Sequence, residues 1–283
     1  MTSRRLPAAK SLSKALLLAL LAMPALAAGD HAFGLFPESE QVFRQLTADP
    51  RHIRLGASYY RLDGHNEADV ALGHSWGMAS WRDEKGRWLW QSNIEAMAYS
   101  RFLVGGGVNQ FETVDFFANL PLSARRGPFS ARGMLFHESS HLGDDYIRST
   151  GSTGFRYSIE GARATVSYEP SAWSRLYCGV SYLLHSIPLP QRKAAQWGFE
   201  LTSRQFGLSA QYPLHIYLAQ DFQSNEDVRY NVNSNTEAGL VVGFKDVQRF
   251  MRVFLAYFDG HSSYGQFFSR REHYVSVGLA LHI

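Results

Sequence analysis

The 283-residue sequence predicts an all-β fold, a transmembrane antiparallel β-barrel of about twelve strands. Three observations carry the prediction. Period-two alternation of apolar with small or polar residues fills the chain from residue 53 onward. The alternating stretches run about ten to fifteen residues, longer than common globular strands and suited to tilted strands that cross a bilayer. The connections between them alternate short and long, the asymmetry of periplasmic turns against outer loops.

Residues 1–27 read as an export signal. Arg4, Arg5, Lys10 and Lys14 precede an apolar core from Ala15 to Met23, and Pro24 and Ala25-Leu26-Ala27 form a small-residue cleavage site. The core is too short for a membrane span, and no later run reaches the roughly 18 apolar residues a spanning helix needs. The leader also explains the charge. The whole chain has 28 basic and 25 acidic residues, and without the four leader cations 24 basic residues face 25 acids. A nucleic-acid partner thereby loses its electrostatic support. Cys178 is the only cysteine, so no internal disulfide partner is expected.

Residues 28–52 read as an N-terminal periplasmic arm, with a short helix-like stretch over Glu38–Leu46 after Pro37. The barrel then occupies residues 53–283. In the first strand Ile53, Leu55, Ala57 and Tyr59 alternate with Arg54, Gly56, Ser58 and Tyr60. Val70, Leu72, Trp76 and Met78 mark the second strand, Trp88, Trp90, Ile94 and Ala96 the third, and Val114, Phe116, Ala118 and Leu120 the fourth. Further strands are expected over 128–138, 154–168, 172–186, 195–204, 207–222, 230–244, 249–259 and 272–283. Short turns fall at 83–86, 125–127, 169–171, 205–206 and 245–248. Longer loops fall at 102–110, 139–153, 187–194, 223–229 and 260–271, with 63–68 brief. Arg54, Glu95, Arg101, Asp115, Arg132, Arg156, Glu160, Arg175, Glu200, Arg204 and Glu237 are expected to face inward, paired or hydrated, and to narrow the lumen. Trp81, Trp88, Trp90, Tyr168 and Trp173 suit an interfacial girdle.

The last strand ends Ser276-x-Gly278-x-x-Leu281-x-Ile283. It resembles the C-terminal signal that the barrel assembly machinery reads, although that signal usually ends in Phe or Trp. Assembly machinery and outer-membrane lipid are therefore the expected partners, and the outer membrane the expected location.

One cluster could carry chemistry, Phe136-His137-Glu138-Ser139-Ser140-His141-Leu142-Gly143-Asp144-Asp145. It contains H-E-x-x-H, but zinc chemistry needs that string on a helix. On a strand its histidines stand roughly 13 Å apart, too far to share one ion. A looser site for a divalent cation would use His141 and Asp145, with Asp144 beside them. No other cofactor is implied. The second pattern is His137-x-Ser139, which puts an imidazole and a hydroxyl on one strand face as base and nucleophile. It resembles the His-x-Ser pair of outer-membrane phospholipase A and of the lipid A deacylases. The resemblance implies an acyl or ester hydrolase of membrane lipids at the extracellular rim. Those enzymes carry an orienting Asn or Glu about a dozen residues beyond the Ser, where this chain has Gly151. Asp144, Asp145 or Glu160 would have to replace it, and Asp144 is the expected third member.

Leu46-Thr47-Ala48-Asp49-Pro50-Arg51, Ser139-Ser140-His141-Leu142-Gly143-Asp144 and Tyr264-Gly265-Gln266-Phe267 together resemble a bacterial family known as domain of unknown function 1207. That resemblance covers residues 33–283 and implies an exported barrel of unknown activity. Two functions stand open, a lipid-directed serine hydrolase and a non-catalytic barrel acting as a small-solute channel or structural component.

Overall fold

The computed structural model describes residues 33–37, 41–105, 109–188, 192–206, 212–244 and 247–282. Thirteen strands appear among them. β1 is Gly34–Leu35, β2 Leu55–Leu62, β3 His65–Arg82, β4 Leu89–Leu103, β5 Gln110–Arg126, β6 Phe129–Leu142 and β7 Tyr157–Ser171. β8 is Ser174–Ile187, β9 Lys193–Thr202, β10 Leu214–Asn225, β11 Val232–Phe244, β12 Val247–His261 and β13 Arg271–His282. β2 to β13 pair in sequence order, all antiparallel, and β13 closes on β2. The result is the closed twelve-stranded barrel that the alternation predicts, and closure leaves none of those strands as an open edge. The short β1 adds only two rungs to β3, pairing Gly34 with Ser80.

Turn chemistry places the two ends. Asp63 and Gly64 join β2 to β3 with φ of 48° and 86°, the doubly positive pair that a two-residue hairpin requires. On that same end lie the longer connections, including residues 143–156 and 262–270. The expected loop at 139–153 is partly regular. β6 runs on to Leu142, and helix α1, Asp144–Thr150, follows it. Asp144 and Asp145 sit in its first turn, and Gly151 ends it at φ 69°.

The burial pattern is that of a globule turned inside out. On β4, Gln91, Asn93, Glu95 and Arg101 are buried, while Ile94 and Ala96 face outward. On β13, Val275, Val277, Leu279 and Leu281 are exposed, and so form part of the lipid-facing coat. Trp81 stacks with Trp90, and Phe129 with Tyr168, at the turn ends opposite the long loops.

The lumen is filled from both ends. From the turn end, residues 41–54 thread inside the wall. The expected helix is not formed over 41–46, and residues 38–40 lie outside the described residues. Lumen side chains take the backbone bonds that a helix would have made. Val42 N donates to Gln91 Oε1 (2.9 Å) and Thr47 N to Glu200 Oε1 (2.7 Å). The carbonyls of Arg44 and Gln45 accept from Arg175, and that of Ala48 from Asn235. From the loop end, Tyr264 and Phe267 pack into a buried cluster with Ile53, Met97 and Tyr99.

Candidate active site

The site cluster lies on β6, and alternation divides it between two environments. Glu138 and Ser140 point into the lumen. Glu138 lies 3.3 Å from Arg51, and Ser140 Oγ accepts from Gln266 N at 2.9 Å. His137, Ser139 and His141 therefore point outward, with Leu135 below them on the same face. The string H-E-x-x-H lies on a strand, with His141 against Phe116 at 6.1 Å between ring centres.

The neighbour of His137 across the β6–β7 ladder is Glu160. The His137 Nδ1 to Glu160 Oε1 separation is 3.5 Å, with side chains 44 % and 25 % exposed. Glu160 in turn stands opposite His185 on β8. Glu160 was expected in the lumen and sits instead on the outer wall, and Arg156 and Arg204, also expected in the lumen, are exposed just beyond the ends of β7 and β9. The parity of β7 decides the place of Glu160, because Thr165 and Ser167 are buried while Val166 and Tyr168 are exposed, and Glu160 follows the latter pair. Both faces of β7 carry polar residues, so its charge pattern alone could not assign Glu160; its even-numbered register with Val166 and Tyr168 could. Ser139 Oγ has no hydrogen-bond partner among the described residues, and Ser139 stands opposite Ser158.

The remaining candidates go elsewhere. Asp144 is exposed on α1 and lies 3.8 Å from Arg148. Asp145 accepts from Phe111 N at 3.0 Å and from Arg148 at 3.2 Å, an arrangement that anchors α1 to β5. His141 and Asp145 thus have separate partners, and among the described residues no three His, Cys, Asp or Glu side chains converge as a metal cage.

The inner half of the cluster belongs to a second centre. Arg51 Nη2 donates to Asp115 Oδ2 at 2.5 Å, and Gly265 N donates to the same oxygen at 3.0 Å. The Arg51 guanidinium also lies over the rings of Tyr99, Phe117 and Tyr264. Burial opposes its charge, but Asp115 and Glu138 outweigh that cost and raise its pKa above the ordinary arginine value. Gln266 Nε2 ties Ser140 O to Phe155 O. Three sequence segments far apart in the chain, around Arg51, Ser140 and Gly265, therefore meet at one place in the lumen.

A family model described as a protein of unknown function, DUF1207, matches residues 4–283. The chain belongs to that family. None of the curated proteins matches it. Among solved structures it is similar to the Salmonella typhi outer membrane phospholipase dimer with bound calcium, at 11 % identity and TM-score 0.53, over 87 % of this chain and 95 % of that one. It is likewise similar to outer membrane phospholipase A from Escherichia coli, at 11 % identity and TM-score 0.53, over 85 % and 95 % of the two chains. At such identity the likeness is one of fold. This DUF1207 member is an outer-membrane-type barrel.

Proposed function

We propose that this barrel hydrolyses acyl esters of outer-membrane lipids on its outer wall, with Ser139 as nucleophile and His137 as general base. One observation carries the reading: a hydroxyl, an imidazole and a carboxylate share the lipid-facing surface beside Phe116 and Leu135, with His137 Nδ1 3.5 Å from Glu160. Ionisable groups on a lipid-facing wall cost free energy and are retained where they act. Glu160, rather than Asp144, is the acid within reach of His137. With Nδ1–H directed at Glu160, Nε2 is left as the proton acceptor. Residues two apart on a strand stand about 6.6 Å apart at Cα, a gap that an imidazole side chain spans.

Ser139 Oγ would attack the ester carbonyl as its proton passes to His137 Nε2. The same proton then goes to the departing alcohol oxygen, leaving an acyl-serine. Water, deprotonated by His137, releases the fatty acid and restores the serine. The filled lumen supports a barrel that works at its surface over one that passes solutes through.

The test is fatty-acid release from phospholipid and lipid A in mixed micelles by the refolded full chain. Ser139→Ala and His137→Ala should each lose at least about 100-fold in kcat, and Glu160→Gln about tenfold or more. Heat-modifiable gel migration would verify that each variant is folded. Full activity in folded Ser139→Ala would overturn the assignment.

A further inference from the structure

Between the arm and the long loops the lumen keeps a cavity of about 220 Å3. A water takes about 10–15 Å3 on this measure, so the space suits a solute of on the order of ten to fifteen heavy atoms. Its floor is Asp49 of the arm and Asp221 of β10, and its mouth includes Asp227 and Ser262 in the long loops. The arm closes it from the turn end.

The floor has an unusual charge balance. Gln196 Nε2 donates to Asp49 Oδ2 at 3.0 Å and to Asp221 Oδ1 at 2.9 Å. Gln223 Nε2 donates to Asp221 Oδ2 at 2.9 Å and to Asp49 Oδ1 at 3.3 Å. Tyr177 and the Arg51 N–H supply the other donors. Two carboxylates, 5 % and 1 % exposed, are thus held together by neutral groups alone. Several other buried lumen acids have guanidinium partners: Glu95 has Arg132, Glu237 has Arg252 and Glu272 has Arg101, whereas Glu67 has none among the described residues. Asp49 and Asp221 have no ion pair among the described residues. The independent sign is Gln196 itself, which is 6 % exposed and lines the cavity with its Oε1 buried and unpartnered. The chain meets these two adjacent carboxylates with neutral donors only and leaves the Gln196 acceptor spare, an arrangement that favours an added positive charge or donor.

We infer that the floor formed by Asp49, Asp221 and Gln196 binds the ammonium group of a small organic solute that enters from the long-loop end. Arg163 lines the same cavity and makes no ion pair among the described residues. It provides a site for a carboxylate on the same solute, so the cavity favours an amino-acid-like zwitterion over a simple amine.

Calorimetry on the full chain in detergent tests this with n-butylamine, 6-aminohexanoate, hexanoate and glucose. Both amines should bind, and the zwitterion more tightly; hexanoate and glucose should not. Asp221→Asn should weaken both amines at least about tenfold, the loss of one charged hydrogen bond. Arg163→Ala should weaken only 6-aminohexanoate. Asp49→Asn, on the arm, serves in its place if Asp221→Asn fails to fold. Absence of amine binding together with a raised unfolding temperature in Asp221→Asn would mean that the two carboxylates share a proton, and would overturn the site. Equal binding of glucose would overturn it too.

Discussion

At the scale of the residue, Arg51 fastens the two plugs of the lumen to each other. It reaches Asp115, which is fully buried and also holds the Gly265 N–H of the upper loop. Replacing Arg51 with alanine removes the cation and leaves Asp115 as a buried charge without its partner, a defect of about 3–5 kcal/mol. Arg51→Ala should therefore unfold well below the parent when heated in detergent. Arg51→Lys should fall between them, because an ammonium keeps a charge for Asp115 and Glu138, both of which bond the single Nη2 nitrogen, but loses the planar stacking over Tyr99, Phe117 and Tyr264. A parent-like midpoint for Arg51→Ala would show that the clamp contributes little. Single residues were also the hardest feature to read from sequence. His137 and Ser139 share a face because they are two apart, and spacing alone gives that. The approach of Glu160 to His137 is a cross-strand register, set by how β6 and β7 slide past each other, and no local pattern encodes it.

Elements were more legible. Long alternating runs, Asp63-Gly64 and the shift from short to long connections each have a local cause, and the strands follow them. The arm does not, because its conformation is imposed by partners distant in sequence. Glu200 lies 153 residues from Thr47, and Asn235 lies 187 from Ala48. The arm carries its own pH response. His52 donates from Nδ1 to Asp49 O at 2.7 Å, with Arg252 3.1 Å from Nε2. Burial first, then Arg54 and Arg252, hold its pKa well below the ordinary histidine value. The released arm binds a proton that the docked arm rejects, so docking is at full strength above about pH 6.5 and weakens as pH falls below it. Protease cleavage within residues 41–54 should accelerate as pH falls from 7 to 5, and His52→Gln should flatten that dependence. A pH-independent cleavage rate in the parent would disprove the coupling.

For the whole molecule, the arrangement of polarity follows from closure. A barrel in lipid places its apolar coat outside, so its charges must find partners within, and here the arm and the upper loop supply many of them. Arg175 illustrates the consequence: it bonds Ser167 on the wall, Glu200 across the ladder, and two arm carbonyls. The plug is thus held by wall charges that water could solvate if the arm were absent. This leads to a measurement on the assembled barrel. In planar bilayers the full chain should give no steady conductance. A chain beginning at residue 53, refolded without the arm, should conduct steadily, because Arg175, Glu200, Arg252 and Glu237 then line a hydrated bore. Arg51→Ala, with the arm retained but unclamped, should open intermittently, which keeps the test informative if the truncated chain fails to fold. Steady conductance by the full chain would mean that the arm does not seal the lumen. Silence from both a folded truncated barrel and Arg51→Ala would mean that the wall charges alone close it.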